Sequence, residues 1–279
     1  MLRKSRLFAV CLLLAGIFMA VNTQAQSYKR IVSLNGTITE IICALGFENS
    51  LAGVDVTSTY PASVKKLSNV GHNRTISAEP VLALKPDLII STAAFLSPNV
   101  IEQFKRVNVK TVILQQDYSV NGTKQLITTV AATLGVPEKG VALNKQLDQQ
   151  QAALKLAKQG KKVLFIYARG AGTMMVAGTE TPVDKIIALA GGTNAAGSFK
   201  DFKPLTAESL VAANPDVILM FDSGLESMGG IAGLLKVQGV SQTTAGKQKK
   251  VVVMDGLLLT GFGPRVITAI RELSQKINA

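Results

Sequence analysis

With a single histidine, two cysteines and no tryptophan in 279 residues, the chain has few side chains for chemistry. His72 has no second histidine with which to share a metal and no serine elbow or cysteine beside it, and the Gly-x-x-x-x-Gly-Lys-(Ser/Thr) phosphate loop is missing. Gly170, Gly172 and Gly178 and the GLESMGG segment lack full dinucleotide spacing. A catalytic set is therefore absent, and the expectation is a binding protein. Gly71 before His72 and Asn73 after it place the imidazole on a loop ahead of a helix, which suits a side chain projecting into a cleft, although a lone histidine is ordinarily a hydrogen-bonded surface residue. Arg74 follows two residues on, and a guanidinium presents forked donors to a carboxylate. Arg169, in the glycine-flanked ARGAG loop, and Arg265, in GPR, are further cationic candidates. Tyr60 in TSTYP and Tyr167 offer oxygen, and Met174 or Met175 sulfur; most such residues serve packing.

The elements that position these residues are legible from a repeat. Ala78 to Lys85 has helical spacing, Pro86 stops it, and Asp87 leads into the apolar run Leu88, Ile89, Ile90. The same pattern returns in LTAESLVAANPDVILMFD. Ser77, Ala78, Glu79, Ala83, Pro86, Asp87 and Ile89 are answered by Thr206, Ala207, Glu208, Ala212, Pro215, Asp216 and Ile218, 129 residues later. An offset of that size is a domain, so two similarly built α/β lobes are expected in tandem. Glu79 and Glu208 fall in the first turn of the repeated helix, where the helix dipole favours a carboxylate.

Strands are expected at Arg30 to Leu34, Leu51 to Val54, Thr111 to Leu114, Lys162 to Tyr167, Met174 to Val176 and Val251 to Met254. Helices are expected at Thr37 to Leu45, Asn99 to Arg106, Thr123 to Leu134, Pro182 to Ala190 and Pro264 to Ile277, the last with Pro at its first turn. The segment Asp255 to Gly263 reads as a loop. The order of elements predicts a mostly parallel sheet covered by helices in each lobe. Between the halves, 137–159 reads as one long polar helix that bridges them, giving lobes at 27–136 and 160–279.

At the N-terminus, Arg3, Lys4 and Arg6 precede an apolar run from Leu7 to Val21 and the small-residue site Thr23-Gln24-Ala25. Residues 1–25 read as a secretory signal peptide, too short in its apolar part for a membrane span, so the mature chain has no membrane insertion. Cys11 leaves with it. Cys43, in an apolar string, is expected to be a small buried hydrophobe, and one cysteine forms no internal disulfide. Export without disulfides suggests the periplasm. The formal charge of +12 falls to +9 once the three signal-peptide cations are gone. Its lysines are scattered without interleaved aromatics, which argues against nucleic acid; an anionic small ligand or simple solubility is enough.

AGVDVTSTYP from Ala52, VGHNRTISAEPVLALKPDLII, LTAESLVAANPDVIL, GLESMGGIAGLL and LLLTGFGPR together resemble the periplasmic haem-binding proteins of bacterial haem-uptake ABC transporters. These fall within the larger group that also binds vitamin B12 and ferric siderophores, and the likeness covers essentially the whole mature chain. The resemblance implies two α/β lobes joined by one long helix, with haem b held non-covalently in the cleft between them, consistent with the lack of a Cys-x-x-Cys-His motif. It implies delivery to an ABC permease dimer with ATPase subunits. In the haem-binding family the residue after VG in this segment is typically a tyrosine that ligates iron; here it is His72, and imidazole is itself a common haem ligand. Arg74, Arg169 and Arg265 then become contacts for haem propionates, with Tyr60 and Tyr167 in the cleft, and Glu79 and Glu208 become the carboxylates that meet arginines of the permease. A cobalamin or ferric-siderophore carrier on the same scaffold is the alternative.

Overall fold

The computed structural model describes residues 28–72, 74–94, 96–156, 160–170 and 172–279. The expected signal peptide, with Cys11 and the cleavage site, lies outside the described residues, as do Asn73, Ala171 and the last three residues of the expected bridging helix.

The first sheet contains β1 (Ile31–Ser33), β2 (Leu51–Val54), β3 (Ser68–Asn69), β4 (Leu88–Thr92) and β5 (Lys110–Leu114), in the order β3-β2-β1-β4-β5. All its pairings are parallel. Central strands β1 and β4 are buried along their whole length, as unbroken apolar runs covered on both faces must be. Helices α1 (Gly36–Ala44), α2 (Ala78–Ala83), α3 (Pro98–Arg106) and α4 (Val120–Thr133) follow strands β1, β3, β4 and β5. Asn35 starts α1 by accepting from the amides of Thr37 and Ile38.

After α5 (Pro137–Ala152), the second sheet is built from β6 (Lys162–Ala168), β7 (Met174–Ala177), β8 (Thr193–Asn194), β9 (Phe202–Pro204), β10 (Val217–Phe221) and β11 (Val251–Met254). The order is β11-β10-β6-β7-β9, with β8 beside β6. β6, β8, β10 and β11 pair in parallel, whereas β7 is antiparallel to both β6 and β9. Its helices are α6 (Pro182–Leu189), α7 (Ala207–Ala213), α8 (Asp222–Ser227), α9 (Gly230–Leu234), α10 (Thr244–Gln248), α11 (Gly256–Thr260) and α12 (Val266–Asn278). The chain is α/β, with two similar lobes of mostly parallel sheet bridged by one long helix.

The Pro-Asp pair that recurs in the sequence has one physical job in both lobes. Asp87, just ahead of β4, accepts the amides of Lys29 (2.7 Å) and Arg30 (3.1 Å), which lead into neighbouring β1. Asp216, just ahead of β10, accepts the amide of Lys162 at the start of β6 (2.9 Å). Each carboxylate thus satisfies amides at the frayed beginning of a central strand, where no ladder partner exists.

Three expectations need correction. The bridging helix stops at Ala152, because Leu154 and Leu156, two residues apart, both turn onto the core in a spacing that a helix cannot present on one side. Pro264 stands before α12, in a turn in which the Val266 amide bonds to the Gly263 carbonyl, so it is outside the first helical turn. The expected loop Asp255 to Gly263 contains α11, started by the Asp255 carboxylate accepting from the Leu258 amide.

The lobes meet in a continuous interior. Ile38, Ile41 and Leu45 of the first lobe and Phe165, Ile270 and Leu273 of the second belong to one buried cluster. Above it the strap 261–265 of the second lobe is held by first-lobe side chains: the Gly261 carbonyl accepts from Thr37 Oγ1 (2.6 Å) and Gln116 Nε2 (2.7 Å), and the Phe262 carbonyl from Thr123 Oγ1 (2.8 Å). The Phe262 ring meets Tyr118 edge-on at 5.6 Å.

Candidate ligand-binding site

Because the strands of the first sheet are parallel, their carboxyl ends share one edge, and the connection order reverses between β1 and β4. Such a reversal leaves a crevice outside the carboxyl ends, the ordinary place for a ligand in an open α/β sheet. The loop from β3 to α2 has to travel along that edge, past β2 and β1, a distance of about 14 Å at normal strand spacing. His72 rides on this loop.

The loop is anchored to the sheet by backbone bonds from Val70 to the Val54 carbonyl and from Val56 to the Gly71 carbonyl, both 3.0 Å. Gly71 has φ +105°, a region disfavoured for side chains with a Cβ, so glycine is what lets the chain turn out of the ladder here. His72 is half-buried. Its carbonyl accepts from the Thr75 amide (2.8 Å), and its Nδ1 accepts from the Arg74 amide (3.2 Å), which leaves Nε2 as the nitrogen outside that bond.

Below the loop lies Asp55, 1% exposed. Burial raises its carboxyl pKa, opposed by hydrogen bonds from Thr57 and Ser58 and by the charge of His72. Thr57 Oγ1 donates to Asp55 Oδ2 (2.6 Å) and Ser58 Oγ to Oδ1 (2.8 Å). From Ser58 the chain of hydroxyls continues to Thr39 (2.7 Å) and Ser33 (2.8 Å), all buried. A fixed polar floor of this kind holds the loops above it in one arrangement.

Arg74 is exposed and lies close enough to Tyr118 for its charge to oppose the rise that burial gives the tyrosine hydroxyl's pKa. Arg265 is used differently from the expected propionate contact. Its Nε and Nη2 grip Glu40 Oε1 (2.9 Å) and Oε2 (2.8 Å), and its amide reaches Oε1 (3.2 Å). Glu40 is 4% exposed, so its buried carboxylate claims the guanidinium fork for a joint between the lobes. Tyr60 covers that joint, with the guanidinium 3.6 Å from its ring centre, and remains 43% exposed on its other side.

In the second lobe, Tyr167 and Arg169 come together at the carboxyl end of β6. The guanidinium sits 5.8 Å from the Tyr167 ring centre, and that ring meets Phe221 edge-on at 6.2 Å. Arg169 is exposed and its amide bonds to the Thr173 carbonyl. Met174 packs into the second-lobe core and lines a cavity of about 360 Å³ with Leu205, Ala207 and Lys236. Cys43 is half-buried against the core, and burial pushes its thiol up to about 12. Glu79 and Glu208 are both exposed in the first turns of α2 and α7, and neither joins an ion pair among the described residues. Asp55 and Tyr118 were missed by reading the sequence; Asp55 sits in the quoted AGVDVTSTYP string, where a carboxyl followed after one residue by the three consecutive hydroxyls Thr57, Ser58 and Thr59 is the available signal.

The family model for periplasmic binding protein matches residues 31–257. The chain belongs to that family. Among solved structures, this binding protein is similar to the periplasmic haem-binding protein RhuT from Roseiflexus sp. RS-1, with 42% identity and a TM-score of 0.85 over 89% of this chain and 97% of that one. It is 29% identical to the ABC transporter substrate-binding lipoprotein YvrC of Bacillus subtilis (strain 168), over 89% of this chain and 80% of the relative. A vitamin B12-binding protein of Vibrio parahaemolyticus is 27% identical over 77% of this chain and 81% of its own length.

Proposed function

We propose that this periplasmic binding protein captures haem in the cleft between its lobes, 27–136 and 160–279 joined by 137–159, and delivers it to an ABC permease dimer with ATPase subunits. The observation that carries the reading is the sole imidazole, on the loop at the carboxyl edge of the first sheet with Nδ1 taken by the Arg74 amide, in a chain 42% identical to a protein named as haem-binding. A single protein nitrogen is sufficient for haem iron, because the porphyrin fills four coordination positions itself. A bare cation would need a cluster of ligands, and among the described residues no group of three or more His, Cys, Asp or Glu comes together to hold one.

His72 ligates the iron in this reading, and haem b is held without covalent attachment. Bonding through Nε2 shifts the ring proton to Nδ1, so the Arg74 amide contact opens as the ligand enters. The propionates are met by Arg74 and by Arg169 on its Tyr167 support, while the exposed Tyr60 ring lies along the cleft. Arg265 stays with Glu40 and holds the lobes. Glu79 and Glu208, exposed and repeated on both lobes, dock onto arginines of the permease, which orients the encounter more than it adds affinity. The continuous core and the strap keep closure small. The protein works in the periplasm after loss of residues 1–25.

Titration of the mature protein with hemin, beside His72→Ala, tests the reading. A saturable Soret band of histidine type in the wild type, lost or shifted in the variant, supports haem carriage and the ligand together. Equal binding by both would remove His72 from the site. The vitamin B12-binding relatives favour cobalamin as the second reading, and a titration with cobalamin that saturates where hemin does not would replace haem by it.

A further inference from the structure

The edge of the first sheet opposite the candidate site collects positive charge. Parallel strands place their amino ends together, and Lys29 and Arg30 lead into β1, Lys85 precedes β4, Lys105 and Arg106 end α3, and Lys110 opens β5, with β1, β4 and β5 adjacent in the sheet. All six are exposed. Three acids lie on the same edge and are outnumbered two to one by the cations. Asp87 holds the Lys29 and Arg30 amides, Glu102 pairs with Lys105 at 2.9 Å, and Glu48 is half-buried ahead of β2. The Arg30 guanidinium donates to the Leu84 and Lys85 carbonyls, which pins it on the edge. Val107, 50% exposed, stands directly after Arg106.

We propose that this edge rests on an anionic bilayer surface. The cations come one or two at a time from separate loops, spread over three strands; that layout meets an extended negative surface rather than one phosphate group. An exposed apolar side chain next to cations is the composition of an interfacial face, where charges meet headgroups and the apolar group enters the boundary. Chain position agrees: the first described residues, Tyr28, Lys29 and Arg30, lie on this edge. Removal of residues 1–25 would place a new α-amino cation two residues before Tyr28. The inference does not depend on the identity of the ligand. It holds the carboxyl edge, with His72, turned away from the bilayer while the protein waits for cargo.

Co-sedimentation of the mature chain with vesicles of phosphatidylcholine alone, and of equal parts phosphatidylcholine and phosphatidylglycerol, tests it. Binding is expected only to the anionic vesicles and to weaken as salt is raised. R106E/K110E is expected to reduce it at least about tenfold. K155E/K247E changes the net charge equally at exposed sites of the segment after α5 and of α10, and is expected to change it much less. Thermal melts of both variants check that each is folded. Equal losses in the two variants would reduce the effect to net charge and overturn the proposal. So would absence of binding to the anionic vesicles, or binding to soluble polyglutamate in its place.

Discussion

Half of each sheet is the same and half is different. On one side, β1, β4 and β5 correspond to β6, β10 and β11: parallel in both lobes, begun by the same Asp cap, and preceded at β4 and β10 by the same short helix with glutamate in its first turn. On the other side the lobes part. The first continues in parallel through β2 and β3 and then sends the His72 loop across its carboxyl edge, while the second turns back through antiparallel β7 and β9. The shared half sets the scaffold and the repeated first-turn glutamates; in the proposed reading the divergent half carries what is particular to the ligand. A repeated scaffold constrains what lies on it, so specificity accumulates where the repeat ends.

The largest effect is expected where the halves are joined. Arg265→Ala leaves Glu40 as a buried, unpaired carboxylate and removes the support under Tyr60, and should lower stability by about 3 kcal/mol, read from chemical denaturation. Glu40→Gln keeps the shape and leaves a neutral amide oxygen to accept from Arg265, whose charge then sits at the more exposed end of the pair, and should cost clearly less. If Arg265→Ala were neutral, the strap would be a neighbour of the first lobe and not its fastener.

Next comes the divergent half. His72→Ala should weaken hemin binding by at least tenfold, about 1.4 kcal/mol, without moving the melting temperature, since its one side-chain bond is a 3.2 Å contact with a local amide. Arg169→Ala, at the corresponding edge of the second lobe, should weaken binding only a few-fold, because its guanidinium is exposed and the proposed propionate contact would be made near water. Equal losses would erase the distinction between the lobes at the site.

The repeat was legible because Pro and Asp act locally. Proline ends a helix wherever it falls, and a carboxylate just before a strand finds the amides of the strand beside it, so Pro86-Asp87 and Pro215-Asp216 announce the same geometry without reference to the rest of the chain. Arg265 was not legible. Nothing near Gly263-Pro264-Arg265 in sequence says that Glu40, 225 residues away, is its partner, and an exposed-looking arginine became a fastener only when the lobes came together. Tyr118 escaped for the same reason: its neighbours Phe262 and Arg74 come from distant segments. The antiparallel β7 and β9 also went unforeseen as a pair, since apolar strands and a Lys-Pro edge carry no mark of direction.

The two Asp caps sharpen the equivalence of the shared half. Asp87→Ala removes two amide bonds and Asp216→Ala removes the bond to Lys162, so losses of about 2 and about 1 kcal/mol are expected. Melting curves of the two variants decide it. A cost at Asp87 with none at Asp216 would mean that the second lobe keeps the motif without using it.

The smallest effect lies within one repeated position. Thr206 and Ser77 occupy the same place before α7 and α2, and both side chains are of a capping type. Thr206 closes a capping box, accepting from the Ser209 amide at 3.1 Å while Ser209 Oγ accepts from the Thr206 amide at 3.2 Å; Ser77 makes no side-chain cap bond to its helix. Thr206→Ala should therefore cost about 1 kcal/mol and Ser77→Ala only a few tenths. The helix of the first lobe begins directly after the His72 loop, so a firm cap there would tie the loop's end to the helix. Ser77, uncommitted, would give the loop room to shift if the Arg74 amide contact opens as proposed. Hydrogen exchange in the two helices separates the outcomes: the first turn of α2 should exchange faster than that of α7, and hemin should slow the former alone. Equal protection in the unliganded protein would mean that α2 owes its order to packing and that the uncapped start has no part in admitting the ligand.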